Sequence, residues 1–327
     1  MFERLLKITG YIAASMVVVA GILVAVVLIR SGRTFDAPYP VIQASKDPRV
    51  IARGRYIVHG PGHCVACHVN KEEQQLVANG ATPPLAGGNA FVLPVGTFYT
   101  RNLTPDRDTG IGRYTDAQLA RVLRHGVMPS GRAAIPFMEA QNMSDEDLTA
   151  VISFLRSQPA VRRAIPEHQI NLLGKAIIAF VIKPIGPSRP VRKHTPAEEP
   201  TIERGEYMAT SVAACSSCHT RRSMVDGSYL NARFSGGSTM DIAGDPNHIL
   251  VTPNLTPAKT GRITSWSEDQ FVGRFGVGMG IKGTHMPWKS FQRMSENDVR
   301  AIYRYLRSLE PVEHATGPSV QPRKKDA

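Results

Sequence analysis

Apolar residues are spread unevenly along the chain. From Ile8 to Ile29 there are 22 positions without a charge, interrupted only by the small or weakly polar Thr9, Gly10, Tyr11, Ser15 and Gly21. As a helix this run reaches about 33 Å, enough for a hydrocarbon core of roughly 30 Å. A cleaved signal peptide has a shorter apolar core and a small-residue cleavage site. Leu28-Ile29-Arg30-Ser31-Gly32-Arg33 offers no such site, so an uncleaved signal anchor is predicted. Arg4 and Lys7 before the run and Arg30 and Arg33 after it leave its orientation open by charge.

After the anchor the apolar positions adopt helical spacing. Thr115 with Gln118, and Ser267 with Gln270, have the capping-box form. Ser144 with Asp147, and Ser295 with Asp298, are weaker versions that open two further helices. In these, Leu148, Ile152 and Leu155, and likewise Val299, Ile302 and Leu306, recur as a buried face. Residues 158–200 contain seven prolines and read as a linker. Within it Leu172, Leu173, Ile177, Phe180 and Val181 lie on one side of a possible short helix. It is too short to span and either lies in the membrane interface or packs between domains. The stretch after Val312 ends in Arg323-Lys324-Lys325 and is expected to be disordered.

The pattern occurs twice. Arg53-Gly54-Arg55-Tyr56 is matched by Arg204-Gly205-Glu206-Tyr207, and Asn102-Leu103-Thr104-Pro105 by Asn254-Leu255-Thr256-Pro257. Met143-Ser144-Asp145-Glu146-Asp147-Leu148 is matched by Met294-Ser295-Glu296-Asn297-Asp298-Val299. The order is the same in both copies, so the chain reads as a tandem duplication.

The repeat carries the chemistry. All four cysteines fall in Cys64-Val65-Ala66-Cys67-His68 and Cys215-Ser216-Ser217-Cys218-His219, 151 positions apart. C-x-x-C-H is the attachment signature of a c-type haem, in which two cysteines form thioethers and the histidine ligates iron. A zinc site or a thioredoxin-like pair does not require the second copy or its matching flanks. His68 and His219 are therefore the expected proximal ligands of two covalent haems. On the distal side, a methionine thioether closes the iron to substrate and suits a one-electron carrier. Met286, in Met286-Pro287-Trp288, is the candidate in the second copy, with His285 as a competitor. In the first copy the equivalent position is Ile135, which cannot ligate. Met138 takes the role if the loop is shorter there; Met128 and then His125 are the alternatives. Asn102 and Asn254 are candidates to order the haem edge, and Tyr114, Trp266 and Arg101 to bind propionates.

Lys and Arg number 39 against 27 Asp and Glu, a formal charge of +12. Ionised propionates on two haems lower this by about four. With no basic-aromatic nucleic-acid motif, such a balance fits an acidic protein partner or an anionic lipid surface, not nucleic acid.

The two haem motifs, the Asn-Leu-Thr-Pro loops with Thr109-Gly110-Ile111-Gly112, and Met286-Pro287-Trp288 resemble proteobacterial multihaem cytochromes c. More narrowly, they are similar to the cytochrome c subunits of membrane-bound periplasmic alcohol, aldehyde and sugar-acid dehydrogenases. Those subunits commonly carry three haem domains, where this chain has two motifs. The resemblance implies an all-α fold of two tandem cytochrome c domains behind one transmembrane helix. Its segments are 1–33 anchor, 34–160 domain 1, 161–200 linker with a short amphipathic helix, 201–312 domain 2 and 313–327 basic tail. In each domain Gly54 is expected to meet Phe154, and Gly205 to meet Tyr305. Haem is attached outside the cytoplasmic membrane in bacterial c-type cytochromes, so residues from 34 onward are expected in the periplasm. The implied role is electron transfer from a periplasmic dehydrogenase or quinol-oxidising complex of the respiratory chain towards a terminal oxidase or other acceptor, without catalysis of its own. A dihaem peroxidase with an open haem 1, and a structural cytochrome subunit, are the alternatives.

Overall fold

The computed structural model describes residues 2–223 and 228–323. In chain order its main helices are α1 (Phe2–Ser31), α2 (Pro48–His59), α3 (Asp116–His125), α4 (Asp145–Ser157), α5 (Leu172–Phe180), α6 (Ile202–Tyr207), α7 (Glu268–Val277) and α8 (Glu296–Arg307). Helix α1 takes in the whole uncharged run and buries none of its residues. At about 1.5 Å per residue its length exceeds a hydrocarbon core.

Capping chemistry starts the helices where the sequence places it. Thr115 and Ser267 form full capping boxes with Gln118 and Gln270. The Ser144 and Ser295 hydroxyls accept from the backbone of Asp147 and Asp298. Each half is then locked by a first and last helix in contact. A Cβ added to Gly54 of α2 would lie 1.9 Å from the Ala150 carbonyl oxygen and 2.8 Å from the Phe154 Cβ. At Gly205 of α6 the distances to Ala301 and Tyr305 are 1.9 and 2.7 Å. The expected pairs meet, and only glycine allows so close an approach. Leu148, Ile152, Ile302 and Leu306 are buried behind these crossings, each worth about 1.5–3 kcal/mol of transfer.

The all-α expectation needs correction. Strands β1 (Ala90–Leu93), β2 (Gly96–Tyr99) and β3 (Gln169–Ile170) form one antiparallel sheet. A second consists of β4 (Thr239–Ile242), β5 (Asp245–Val251) and β6 (Val320–Pro322). Each hairpin lies between a haem motif and the following Asn-Leu-Thr-Pro loop, and each third strand comes from beyond the last helix of its half. Apart from Thr239–Ile242, whose four residues alternate, these strands are short and lack a polar–apolar alternation, so periodicity gives little to register them. The disordered tail is corrected for the same reason: Val320–Pro322 pairs with β5, and the Arg323 guanidinium binds Asp241 at 2.7 Å. Lys324 and Lys325 lie outside the described residues.

The segment from 161 to 200 is not simply extended. It supplies β3 and α5, and α5 packs on α1 and the β1–β2 hairpin rather than between the halves. The halves themselves meet through a reciprocal clasp. Arg53 and Arg204 each bind the aspartate of their own last helix, Asp147 at 2.8 Å and Asp298 at 2.7 Å. The tyrosines cross over: Tyr56 donates to Asp298 at 2.5 Å and Tyr207 to Asp147 at 2.7 Å. Burial opposes the Asp147 charge, yet the Arg53 guanidinium and the Tyr207 hydroxyl hold its carboxyl below the usual range.

Candidate haem sites

Both C-x-x-C-H motifs form a short helical turn, Val65–His68 and Cys215–Cys218. The residue before each first cysteine is left-handed, His63 at φ 40° and Ala214 at φ 50°, a strained conformation that turns the chain into the motif. Burial pushes the Cys64 and Cys215 thiols up to about 12 and raises Cys67 and Cys218 as well. Such thiols stay protonated in the free chain. Among the described residues no group of three or more His, Cys, Asp or Glu is arranged to hold a bare metal ion.

The proximal histidines are oriented identically. His68 Nδ1 lies 2.9 Å from the Arg101 carbonyl and His219 Nδ1 lies 3.2 Å from the Pro253 carbonyl. A carbonyl only accepts, so Nδ1 carries the proton and Nε2 keeps its lone pair, the arrangement of a metal-ligating histidine. Burial lowers the pKa of both rings and favours the neutral form that ligates.

These carbonyls sit at the head of the Asn-Leu-Thr-Pro loops, and the loop asparagines hold them there. Asn102 Nδ2 donates to Val161 O at 2.8 Å while its Oδ1 accepts from Thr104 N and Oγ1. Asn254 repeats this with Val312 and Thr256. Gly87 and Gly236 donate their amides to the carbonyls of His68 and His219, at 2.8 and 2.9 Å. A Cβ on either would press to 2.5 Å from the Arg101 or Pro253 oxygen. The repeated Gly-Gly at 87–88 and 236–237 marked this contact in the sequence and was not among the candidate site residues.

One continuous cavity of about 1210 Å³ is lined by all four cysteines and both histidines. Its walls include Leu103, Leu123, Leu155, Leu255, Phe271 and Ile302, an apolar enclosure suited to porphyrin. The residues present therefore fit two covalently held haems.

On the distal side Met286, His285, Ile135, Met138 and Met128 all reach this cavity. His285 Nε2 is engaged with the Asp241 carbonyl at 2.7 Å, while among the described residues no hydrogen bond engages the Met286 thioether. Both Met138 and Met128 line the first half, with Met138 38% exposed. His125 lies away from the cavity lining, beside Gly186. His168, absent from the sequence candidates, is in the wall, but its Nδ1 accepts from Tyr99 N at 3.2 Å. Its Nε2 therefore carries the proton. Arg101 and Trp266 line the cavity; Asn102, Asn254 and Tyr114 are not part of its lining.

The halves also touch at the sites. Glu139, next to Met138, binds the Ser217 hydroxyl inside the second motif and Arg222 at 2.9 Å. His63, before the first motif, stacks edge-on against Phe291 at 5.8 Å. Each attachment turn thus abuts the other half's distal segment.

A family described as cytochrome c matches residues 202–310. Over 290 residues the chain is 30% identical to the cytochrome c subunit of a quinone alcohol dehydrogenase from Gluconacetobacter polyoxogenes, covering 83% of this chain and 58% of that protein. It is 31% identical over 287 residues to the cytochrome c subunit of gluconate 2-dehydrogenase from Pantoea cypripedii, covering 80% and 59%. With a dihaem c-type cytochrome of Cereibacter sphaeroides it shares 28% over 265 residues, 77% of this chain and 83% of that one. The chain thus spans less than two thirds of the dehydrogenase subunits.

Proposed function

From the premise of a cytochrome c domain at residues 202–310 in a chain related to cytochrome c subunits of dehydrogenases, we propose a membrane-anchored dihaem electron carrier. Its two haem domains occupy residues 34–160 and 201–312, in the periplasm of a bacterial inner membrane, with α1 crossing the bilayer. It accepts electrons from a periplasmic dehydrogenase or a quinol-oxidising complex and passes them towards a terminal oxidase or other acceptor. The observation that carries this reading is the doubled proximal geometry: two C-x-x-C-H turns, each with its histidine Nδ1 on a loop carbonyl, open into one cavity.

Haem iron held between an imidazole and a thioether supplies reversible one-electron chemistry. Around it the chain's own residues orient and exclude. Asn102 and Asn254 fix the loops whose carbonyls aim His68 and His219, and the apolar walls keep water out. Met286 is assigned as the distal ligand of the second site. Met138 is assigned in the first, with Met128 the second choice. The Glu139–Ser217 and His63–Phe291 contacts set each attachment turn against the other half's distal segment, and both turns open into one cavity, which suits transfer between the sites.

The test is the ferric spectrum of the purified full chain, with haem content and the far-red sulfur-to-iron charge-transfer band read from one sample. Two haems and two methionine-ligated irons per chain are expected. A single methionine-ligated iron leaves the first site otherwise ligated, and peroxide turnover then becomes the measurement that separates a carrier from a peroxidase.

A further inference from the structure

The first half exposes a row of apolar side chains where a water-facing surface would carry polar ones. On β1, Val92 is 78% exposed and Leu93 40%; on α5, Leu172 is 49%, Leu173 59% and Phe180 52% exposed. The two elements form one body. Asn171 Nδ2 donates to the Pro94 carbonyl at 2.8 Å, and Gly174 lies so close to the hairpin that a Cβ would stand 2.2 Å from Val95 O. Large contiguous apolar patches are uncommon on soluble surfaces and mark a binding face.

What covers this face follows from its position on α1. Helix α5 packs along α1, with the Arg30 guanidinium 5.2 Å from the Phe180 ring centre and Arg33 donating to Ile182 O at 2.7 Å. Because α1 ends at Ser31, a helix packed along it with Phe180 at Arg30 must run back beside the uncharged run. Leu172 then lies about 12 Å further back along the α5 axis at 1.5 Å per residue. Arg30, Arg33 and Lys183 gather at the end of the run, the level at which basic side chains meet lipid phosphates.

We propose that α5 and the β1–β2 hairpin form a second membrane contact, a monotopic seat that enters the periplasmic leaflet of the phospholipid bilayer beside α1. This rests on the reading that α1 spans the membrane. Phe91, Ile178 and Ile182 belong to this body and also line the haem cavity, so the seat holds the first haem site against the bilayer surface.

Benzoylphenylalanine placed at Leu173 or at Val92 of the full-length holoprotein, in nanodiscs of phosphatidylethanolamine and phosphatidylglycerol, tests this. Two positions guard against one failing to fold, and retention of both covalent haems is checked for each. Val18, inside the run, and Arg49, whose side chain is 92% exposed, serve as references. On illumination, phospholipid adducts are expected by mass spectrometry at Leu173, Val92 and Val18, and none at Arg49. Adducts at Val18 alone overturn the seat while leaving the anchor. No adduct at Val18 removes the anchor and the seat with it.

Discussion

His59 shows what a single buried group contributes. It is 3% exposed, both ring nitrogens lack a partner, and the ring stands edge-on to Phe154 at 5.5 Å. Burial, reinforced by Arg293 and Arg55, pushes its pKa down to about 4, against an ordinary value near 6.5. Between these values the unfolded chain binds more protons than the folded one, so stability falls as pH drops from about 6.5 towards 4. Unfolding free energies from denaturant titration of His59→Leu should fall less than those of the native chain between pH 7 and pH 4.5, by on the order of 2–3 kcal/mol. An equal loss in both proteins would sink this account. Nothing in the sequence flagged His59, because its environment is made by α4 and by Arg293 of the other half. The cysteines and proximal histidines were legible because their spacing is itself the chemistry. Gly87 and Gly236 left a trace as a repeated Gly-Gly pair, but their role appears only once a loop has returned from elsewhere to meet them.

At the scale of elements, the helix crossings depend on two glycines. Gly54→Ala or Gly205→Ala would drive a methyl to 1.9 Å from a backbone carbonyl, with no flexible side chain to yield. Ordinary overpacking costs about 1–3 kcal/mol, and here two helices must separate, so a loss of at least about 3 kcal/mol is expected in denaturant unfolding. A loss below about 1 kcal/mol would show that the crossing is looser than its geometry. These helices could be read from the chain because their caps and periodicity are local. The sheets could not, because β3 and β6 gain their partners only after the last helix of each half has returned. Gln169–Ile170 and Val320–Pro322 are equivalent in that sense, which is why a stretch that reads as a loose tail is paired.

At the scale of the whole molecule, the duplication was visible in the sequence but the placement of one half on the other was not. The same four-residue repeat does two jobs, its arginine serving its own half and its tyrosine the other. Asp147 and Asp298 each accept from both halves, so neither last helix can leave without stranding a buried charge. The halves should therefore melt together. Calorimetry of the full holoprotein should give one transition. Tyr56→Phe and Tyr207→Phe keep the ring and remove only the hydroxyl; each should cost about 1.5–3 kcal/mol, the range for a hydrogen bond to a charged group. In the double variant each aspartate keeps only its own arginine, so the halves should separate into two transitions or lose methionine ligation at different temperatures. A double variant that still melts in one step at the native temperature would mean that the clasp is ornamental and that the contacts at Glu139 and Phe291 join the halves instead.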